Sequence, residues 1–312
     1  MRLAFFGTPA TAARYLKHLA PKHDIVAVVT QCDRPRGRSG APEPPAVKRV
    51  AEELCLPVLQ PERGACGEAC ERLHEARPDV CVVVAFGQII PCDFPDDRDP
   101  MRFINVHYSL LPKLRGAAPV QHAILQGLPE TGVTVQELVQ ELDAGNVILQ
   151  RSTAIDREDT SASLMSRLTE IGLSALDDAL ELIESGNAPS VPQDESQATW
   201  APCIRKSDGL IDWREPAEQI EREVRAYYPW PSAYTSYRGR LLRILKARPI
   251  ESRACNEGIA GAVVEIHAGE SFTVACGSGA LVVTQVQGAG RASMSAAEWL
   301  NGARLEIGAQ FG

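Results

Sequence analysis

The polar side chains best placed to do chemistry fall in one run, Asn105-Val106-His107-Tyr108-Ser109-Leu110-Leu111-Pro112, followed by Arg115-Gly116-Ala117-Ala118-Pro119. Residues 103–107 have the apolar character of a strand, and alternate residues of a strand share a face, so Asn105, His107 and Ser109 point the same way. An amide beside an imidazole can donate hydrogen bonds to an oxygen that becomes negative, as acyl transfer to an amine requires. Taken alone, an Asn-x-His is better read as opening a turn before Pro112, with His107 satisfying a local backbone group. Ser109 lacks the Gly-x-Ser-x-Gly elbow that exposes a nucleophilic serine. A second element, Asp143-Ala144-Gly145, puts an acid on a turn between the apolar residues 132–138 and a strand at 147–150. By itself it is a turn. Held beside the imidazole, its carboxylate could take or relay the proton that an attacking amine releases.

Those residues need a scaffold, and the first half of the chain supplies the pattern of one. Short apolar runs at 2–6, 24–29, 57–60, 80–85 and 103–107 alternate with amphipathic stretches at 11–19, 47–54 and 68–76, which predicts βαβ units and a parallel sheet. Ligands of such sheets bind beyond the carboxyl ends of the strands, here Phe6-Gly7, Ala85-Phe86-Gly87 and residues 105–109. Gly7 is followed by Thr8-Pro9-Ala10-Thr11 rather than by Gly-x-Gly-x-x-Gly, so a dinucleotide fingerprint is absent, and the glycine serves either a tight strand-to-helix turn or a ligand. Asp159 or Thr160 can cap a long helix that ends near Ser185, before Gly186-Asn187. Residues 187–202 are rich in Pro, Ser, Gln and Asp and make the best boundary. The organisation expected is therefore a domain over 1–189, a linker over 190–206 and a domain over 207–312. In the last of these, residues 217–227 read as a helix, and β-branched runs at 261–266, 272–276 and 281–286, separated by glycines, have the grammar of a small β-barrel.

The bulk properties agree with two folded domains. The chain has 312 residues, 45% hydrophobic and 23% charged, far from disordered or collagenous compositions. Its N-terminus is a short apolar strand rather than a basic region and long apolar run, which argues against a signal peptide, and no stretch suits a membrane span. Nine cysteines are an odd count, and several, such as Cys81 and Cys276, sit in apolar patterns that fit reduced thiols in a cytoplasm. Cys66, Cys70 and His74 share a helix face, but ligands spread over about 12 Å of helix cannot converge on one zinc ion, so no metal is expected. A net charge of −8 suits nucleic-acid binding poorly, although two local basic segments stand out: Arg34, Arg36 and Arg38, and then Arg238, Arg240, Arg243, Lys246 and Arg248. From charge alone each reads as a solvated face.

The run Asn105-x-His107-x-Ser109-Leu110-Leu111-Pro112-x-x-Arg115-Gly116, with Asp143-Ala144-Gly145 beyond it, resembles the signature of enzymes that use 10-formyltetrahydrofolate. Over essentially the whole chain the sequence is most similar to the methionyl-tRNA formyltransferases. Supporting segments are Phe6-Gly7-Thr8-Pro9, Gln31-Cys32-Asp33-Arg34-Pro35, Glu130-Thr131-Gly132-Val133-Thr134, Ile211-Asp212-Trp213, Pro229-Trp230-Pro231 and residues 294–302. The resemblance implies an N-terminal α/β domain with a flavodoxin-like or Rossmann-like parallel sheet, joined to a small open β-barrel of the OB-fold kind that helps hold tRNA. It implies that Asn105, His107 and Asp143 are catalytic, with Asn105 and His107 stabilising the oxyanion and Asp143 handling a proton. Ser109, Leu110, Leu111 and Pro112 would cradle the folate co-substrate, with Phe86, Gly87, Gln88, Ile89 and Ile90 against its pteridine. Arg36, Arg38, Lys206, Arg238 and Arg240 would meet initiator methionyl-tRNA. The loop after Asp33-Arg34-Pro35 departs from the family pattern: Arg36 and Arg38 remain, the usual lysines do not, and Glu43 would oppose a phosphate. A cytoplasmic monomer is expected. Two other readings are an N-formyltransferase acting on a nucleotide-linked amino sugar and a non-catalytic RNA-binding protein that kept the fold. The full-length agreement disfavours the first and the intact Asn105, His107 and Asp143 disfavour the second.

Overall fold

The structure is a computed structural model that describes residues 1–35, 40–62, 67–88, 90, 101–251, 259–267 and 269–312. Two compact units make up the chain. One comprises Met1–Arg115, Gly132–Thr153 and Arg167–Thr199, the other Gly116–Thr131, Ala154–Ser166 and Trp200–Gly312.

From the N-terminus the elements are β1 (Arg2–Gly7), α1 (Ala10–Leu19), β2 (Asp24–Val29), the two-residue strands β3 (Arg34–Pro35) and β4 (Pro42–Glu43), α2 (Ala46–Glu53), β5 (Val58–Leu59), α3 (Gly67–Ala76), β6 (Val80–Val84), β7 (Arg102–His107), α4 (Pro119–Leu125), β8 (Glu130–Glu137), β9 (Val147–Ala154) and α5 (Ser161–Glu184). The strands and helices expected from periodicity are there. Helix α4 was not foreseen: its seven residues are too few to display a period, and its one local sign is Pro119 in the first turn. At the start of α5 the choice of cap falls on Thr160, whose hydroxyl accepts the Ser163 amide at 3.2 Å.

Seven strands form one sheet in the order β5-β2-β1-β6-β7-β8-β9. The five from β5 to β7 are parallel. Strand β8 runs antiparallel to β7, so the predicted parallel sheet carries an antiparallel margin. A buried strand has the same apolar alternation in either direction, which is why direction was invisible in the sequence. The chain leaves β1 toward β2 and β5 and returns to β6 on the other side, so a switch point lies between β1 and β6. Helices α1 and α5 cover one face, where the Tyr15 hydroxyl meets the Thr169 carbonyl at 3.4 Å and accepts from Tyr108 at 3.2 Å. Ala4, Phe6, Cys81, Val83 and Phe103 point to the opposite face, toward Leu73 of α3. Asn105 and His107 alternate with Phe103 and share that face. Gly7 is explained by close packing: a Cβ there would lie 2.7 Å from the Ala12 Cβ and 3.0 Å from the Val84 carbonyl oxygen.

The second unit contains α6 (Ala217–Ala226), β10 (Ala233–Tyr237), β11 (Arg240–Ile250), β12 (Val263–His267), β13 (Ser271–Ala275), β14 (Ala280–Gly288), β15 (Met294–Ser295) and α7 (Ala296–Ala303). These strands form an antiparallel sheet in the order β10-β11-β14-β13-β12, with β15 on β14. Its two ends, β10 and β12, are not hydrogen-bonded to each other among the described residues, as in the open barrel expected. Register shifts between Ile244 and Ala247 in β11 supply the bend that such a sheet needs. The core is aromatic: Phe272 packs on Trp299 and Phe311 with ring centroids 5.4 and 5.7 Å away, and Tyr237 joins the same cluster. Ring pairs of this kind add about 0.5–1.5 kcal/mol each beyond their area. Ser295 and Glu298 form a capping box that starts α7. No described helix is long and apolar enough to cross a membrane.

Helix α6 carries one displaced titration. Burial pushes the Glu223 carboxyl up to about 7, and the charges of Glu215 and Asp212 push it the same way. The folded state then binds a proton that the unfolded state has released, so stability falls as pH rises from the ordinary carboxylate range to about 7. Glu223→Gln is expected to flatten that decline, read as a smaller difference between melting temperatures at about pH 5 and pH 8 than in the unsubstituted protein.

Candidate active site

Strand register assembles the site. In the antiparallel pair, Asn105 of β7 stands opposite Gln136 of β8, and His107 opposite Thr134. Cross-strand partners of this kind sit side by side on one face. The chain then turns after β8 and brings Asp143 back over them. Asp143 Oδ2 lies 3.5 Å from His107 Nδ1, with both side chains almost closed to solvent. The Asn105 amide Nδ2 is 3.4 Å from Asp143 Oδ1, and Gln136 Nε2 donates to the same oxygen at 3.1 Å. Amide and imidazole, neighbours on one strand, thus meet at the end of β7 a carboxylate from well beyond them in sequence.

The imidazole is fixed by its other edge. His107 Nε2 is 2.9 Å from the Leu114 carbonyl oxygen, which can only accept, so the proton on that nitrogen is committed. Only the Nδ1 edge is left, and it faces Asp143. The Asp143 turn is shaped by steric limits. Asp143 itself has φ of 52°, in the left-handed region. At Gly145 an added Cβ would fall 1.7 Å from the Glu137 carbonyl oxygen.

The turn after β7 is built from its own bonds. Ser109 is buried and its Oγ donates to the Lys113 carbonyl at 2.6 Å, so its hydroxyl is spent inside the turn. The Thr134 hydroxyl donates to the Ser109 carbonyl at 2.6 Å and accepts the Leu111 amide at 3.1 Å. Gln150 Nε2 donates to the Leu111 carbonyl at 2.8 Å. The Leu111-Pro112 peptide is cis, Leu111 is buried, and Leu110 is half-buried against the backbone at Gly132. The second predicted segment follows β6. The Phe86 ring is buried edge-on against Phe6 at 5.6 Å, and its carbonyl accepts from Thr8 Oγ1 at 2.8 Å and Gln31 Nε2 at 2.9 Å. The loops after β1, β2 and β6 are tied together there. Gly87 is exposed at φ of 75°, Gln88 is half-buried, and Ile90 packs against the α3-side core. Ile89 lies outside the described residues.

Of the predicted tRNA contacts, Lys206, Arg238 and Arg240 are among the described residues. Arg36 and Arg38 lie outside the described residues, as does Cys66 of the cysteine and histidine set. At the base of their loop, Asp33 accepts from Gln60 and Lys48, whose hydrogen bonds hold its carboxyl below the ordinary range. Arg34 faces Glu43 in the β3–β4 register. Beside this pair is a cavity of about 690 Å³ walled by α1 and α2, with Arg14, Lys17, Arg34 and Arg49 at its surface, together with Glu43 and Glu53. In the second unit, Arg238 and Arg240 share the β10–β11 hairpin, where the Arg238 guanidinium sits 5.3 Å over the Tyr237 ring. Lys206 opens a 3-10 turn before α6 and is exposed. Lys246 of the basic strand pairs with Glu158 at 3.1 Å.

Sequence reasoning missed Gln136, Thr134 and Gln150. The alternation Thr134-Val135-Gln136 was a visible sign that two polar groups share a face, but only the β7–β8 register shows that the face is that of His107 and Asn105.

Comparison with known proteins agrees with this arrangement. The formyl transferase family matches residues 1–180, and the formyl transferase C-terminal domain matches residues 203–304. The chain belongs to the formyl transferase family. Within it, the chain is 44% identical to the methionyl-tRNA formyltransferase of Anaeromyxobacter dehalogenans over 97% of both chains, and so falls among the methionyl-tRNA formyltransferases. Two solved structures share the fold at low identity. The N-formyltransferase of Helicobacter canadensis, in complex with folinic acid and dTDP-3-aminofucose, is 18% identical with a TM-score of 0.66, covering 90% of this chain and 98% of that one. HypX from Aquifex aeolicus in complex with tetrahydrofolic acid is 21% identical with a TM-score of 0.65 over 98% of this chain, which spans about half (48%) of HypX.

Gly145→Ala tests the shape of the Asp143 turn. The new Cβ cannot fit, so the turn must move, with an expected loss of about 1–3 kcal/mol in denaturant unfolding. Displacing the carboxylate by even an ångström is expected to lower kcat about a hundredfold.

Proposed function

We propose that this enzyme transfers the formyl group of 10-formyltetrahydrofolate to the free amine of initiator methionyl-tRNA. The observation that carries this reading is the convergence of Asn105, His107 and Asp143 on one face at the end of β7. The folate would lie along the loops after β6 and β7, on the turn of Ser109, Leu110, Leu111 and Pro112 and on the backbone from Phe86 to Ile90. Ser109 contributes through the shape of that turn, since its hydroxyl is already donated to Lys113.

In the reaction the neutral amine nitrogen bonds to the formyl carbon, and the carbonyl oxygen becomes an oxyanion. The Asn105 amide donates to that oxygen, as does His107 Nδ1 when the ring carries a proton on each nitrogen, since the Nε2 proton is held by the Leu114 carbonyl. Asp143 takes the proton released by the amine, and the proton passes to the folate nitrogen as its bond to the formyl carbon breaks. Tetrahydrofolate and N-formylmethionyl-tRNA are the products, and no metal is needed. Removing one oxyanion donor commonly costs about 3–4 kcal/mol of transition-state stabilisation. Asn105→Ala is therefore expected to slow turnover a hundredfold or more, measured with 10-formyltetrahydrofolate and charged initiator tRNA; near-normal turnover excludes the role.

In this reading residues 1–189 form the folate-binding catalytic domain, residues 190–206 a linker and residues 207–312 a tRNA-binding domain. The chain acts as a monomer in the cytoplasm. Arg238 and Arg240 on the β10–β11 hairpin, with Lys206, Arg36 and Arg38, meet tRNA phosphates. The 44% identity to a methionyl-tRNA formyltransferase across both domains supports tRNA over a nucleotide-linked amino sugar as acceptor. Formyl transfer only to a sugar nucleotide would reverse that choice. Neutralising phosphates releases counterions, so affinity for tRNA is expected to fall at least about tenfold between 50 and 200 mM salt. A flat salt dependence contradicts phosphate contact.

A further inference from the structure

The Asp143 turn is reached by a chain of side chains that the reaction above does not use. It begins at Arg115, only 2% exposed, whose guanidinium holds Glu195 through Nη1 to Oε2 at 2.9 Å and Nη2 to Oε1 at 2.7 Å. The same guanidinium donates from Nε and Nη2 to Gln193 Oε1, at 3.0 and 2.7 Å. A guanidinium only donates, so the oxygen end of Gln193 must face it and the amino end must face away. There, Gln193 Nε2 reaches the carbonyl oxygens of Asp143 at 2.8 Å and Gly145 at 2.7 Å, and Gln136 Oε1 at 3.1 Å. With its oxygen engaged, Gln136 turns its amino group to Asp143 Oδ1.

We propose that Arg115, Gln193 and Gln136 are positioning residues for formyl transfer. The buried guanidinium sets the direction of the Gln193 amide, Gln193 sets that of Gln136, and together they hold the turn and occupy Asp143 Oδ1 so that Oδ2 stays toward His107. The proposal rests on the reading of Asp143 as the carboxylate that handles the proton. An amide is the group this place requires, because it must accept at one end and donate at the other. A carboxylate at 193 would still pair with Arg115 but would set an anion against two carbonyl oxygens. The turn has reason to be held: Asp143 is in the left-handed region and Gly145 has no room for a side chain.

The test compares the unsubstituted enzyme with Gln193→Glu, which keeps size and the Arg115 partner, and Gln193→Met, which keeps size alone. Measured are kcat, both KM values, the pH profile of kcat, and hydrogen exchange of the amides of residues 144–146 in the unliganded protein. Both variants are expected to lose at least about tenfold in kcat with KM for tRNA within about twofold, because the carboxylate is misplaced and not the binding surface. In Gln193→Glu alone the acid limb of the profile moves to higher pH, since a new anion beside the Asp143 and His107 pair favours its protonated form. The amides of the turn exchange faster in both. Unchanged kcat with an unmoved limb in Gln193→Glu, or unchanged exchange in both variants, overturns the proposal. Should the Gln193 variants fail to fold, Gln136→Met removes one Gln193 partner but leaves the contacts of Arg115 with Glu195 and Gln193, and of Gln193 with the turn carbonyls, intact; a tenfold loss of kcat supports the proposal and normal kcat overturns it. If the unsubstituted enzyme transfers no formyl group to methionyl-tRNA, the functional reading falls, while the exchange comparison still decides whether these residues hold the turn.

Discussion

The antiparallel register between β7 and β8 is the constraint on which the candidate site depends. Period-2 geometry puts Asn105 and His107 on one face of β7, and that face needs polar company if it is to be buried without loss. The register supplies it, with Gln136 opposite Asn105 and Thr134 opposite His107. A slip of one residue would turn Val133 and Val135 to that face and send Gln136 and Thr134 into the apolar layer beneath α1 and α5. Thr134 also ties the turn after β7 to β8 through the Ser109 carbonyl and the Leu111 amide. The same pairing therefore sets both the polar groups and the path of the chain that follows them.

Around that register the sheet separates its tasks. One face is apolar and closed by α1 and α5, where Tyr15 and Tyr108 satisfy their hydroxyls against α5. The other is apolar under α3 and becomes polar toward β7 and β8. The strand order reverses between β1 and β6, which leaves the loops after those strands free to diverge, and the Phe86 carbonyl draws them together again through Thr8 and Gln31. The second unit solves a different problem. It gathers Trp213, Tyr237, Phe272, Trp299 and Phe311 into one core, large side chains that bury much surface per residue.

The charge distribution qualifies the net value of −8. Several basic residues are balanced where they stand, as with Lys246 beside Glu158, Arg225 beside Glu221 and Arg49 near Glu43. What is offered to a polyanion is local, as at the hairpin of Arg238 and Arg240 and at Lys17 beside the cavity of α1. An acidic protein can present such patches because a screened phosphate responds to charges within about 10 Å and hardly to the sum over the molecule.

The sequence by itself determined what local chemistry can encode. Strand and helix periods marked the βαβ half, glycines and β-branched runs marked the β-rich half, and the Asn105, His107 and Asp143 motifs named the candidate trio and, through resemblance, the family. Strand direction and register were decided only by the tertiary structure, because an apolar alternation is the same whichever way a neighbour runs. For that reason the antiparallel β8, and with it the partners Gln136 and Thr134, could not be read beforehand. Nor could the reach of Gln193 and Arg115 toward the Asp143 turn, since hydrogen bonds between residues about 50 and 78 positions apart leave no mark on local composition. The proton of the Ser109 hydroxyl is committed within its own turn, a fate set by how the chain doubles back after β7.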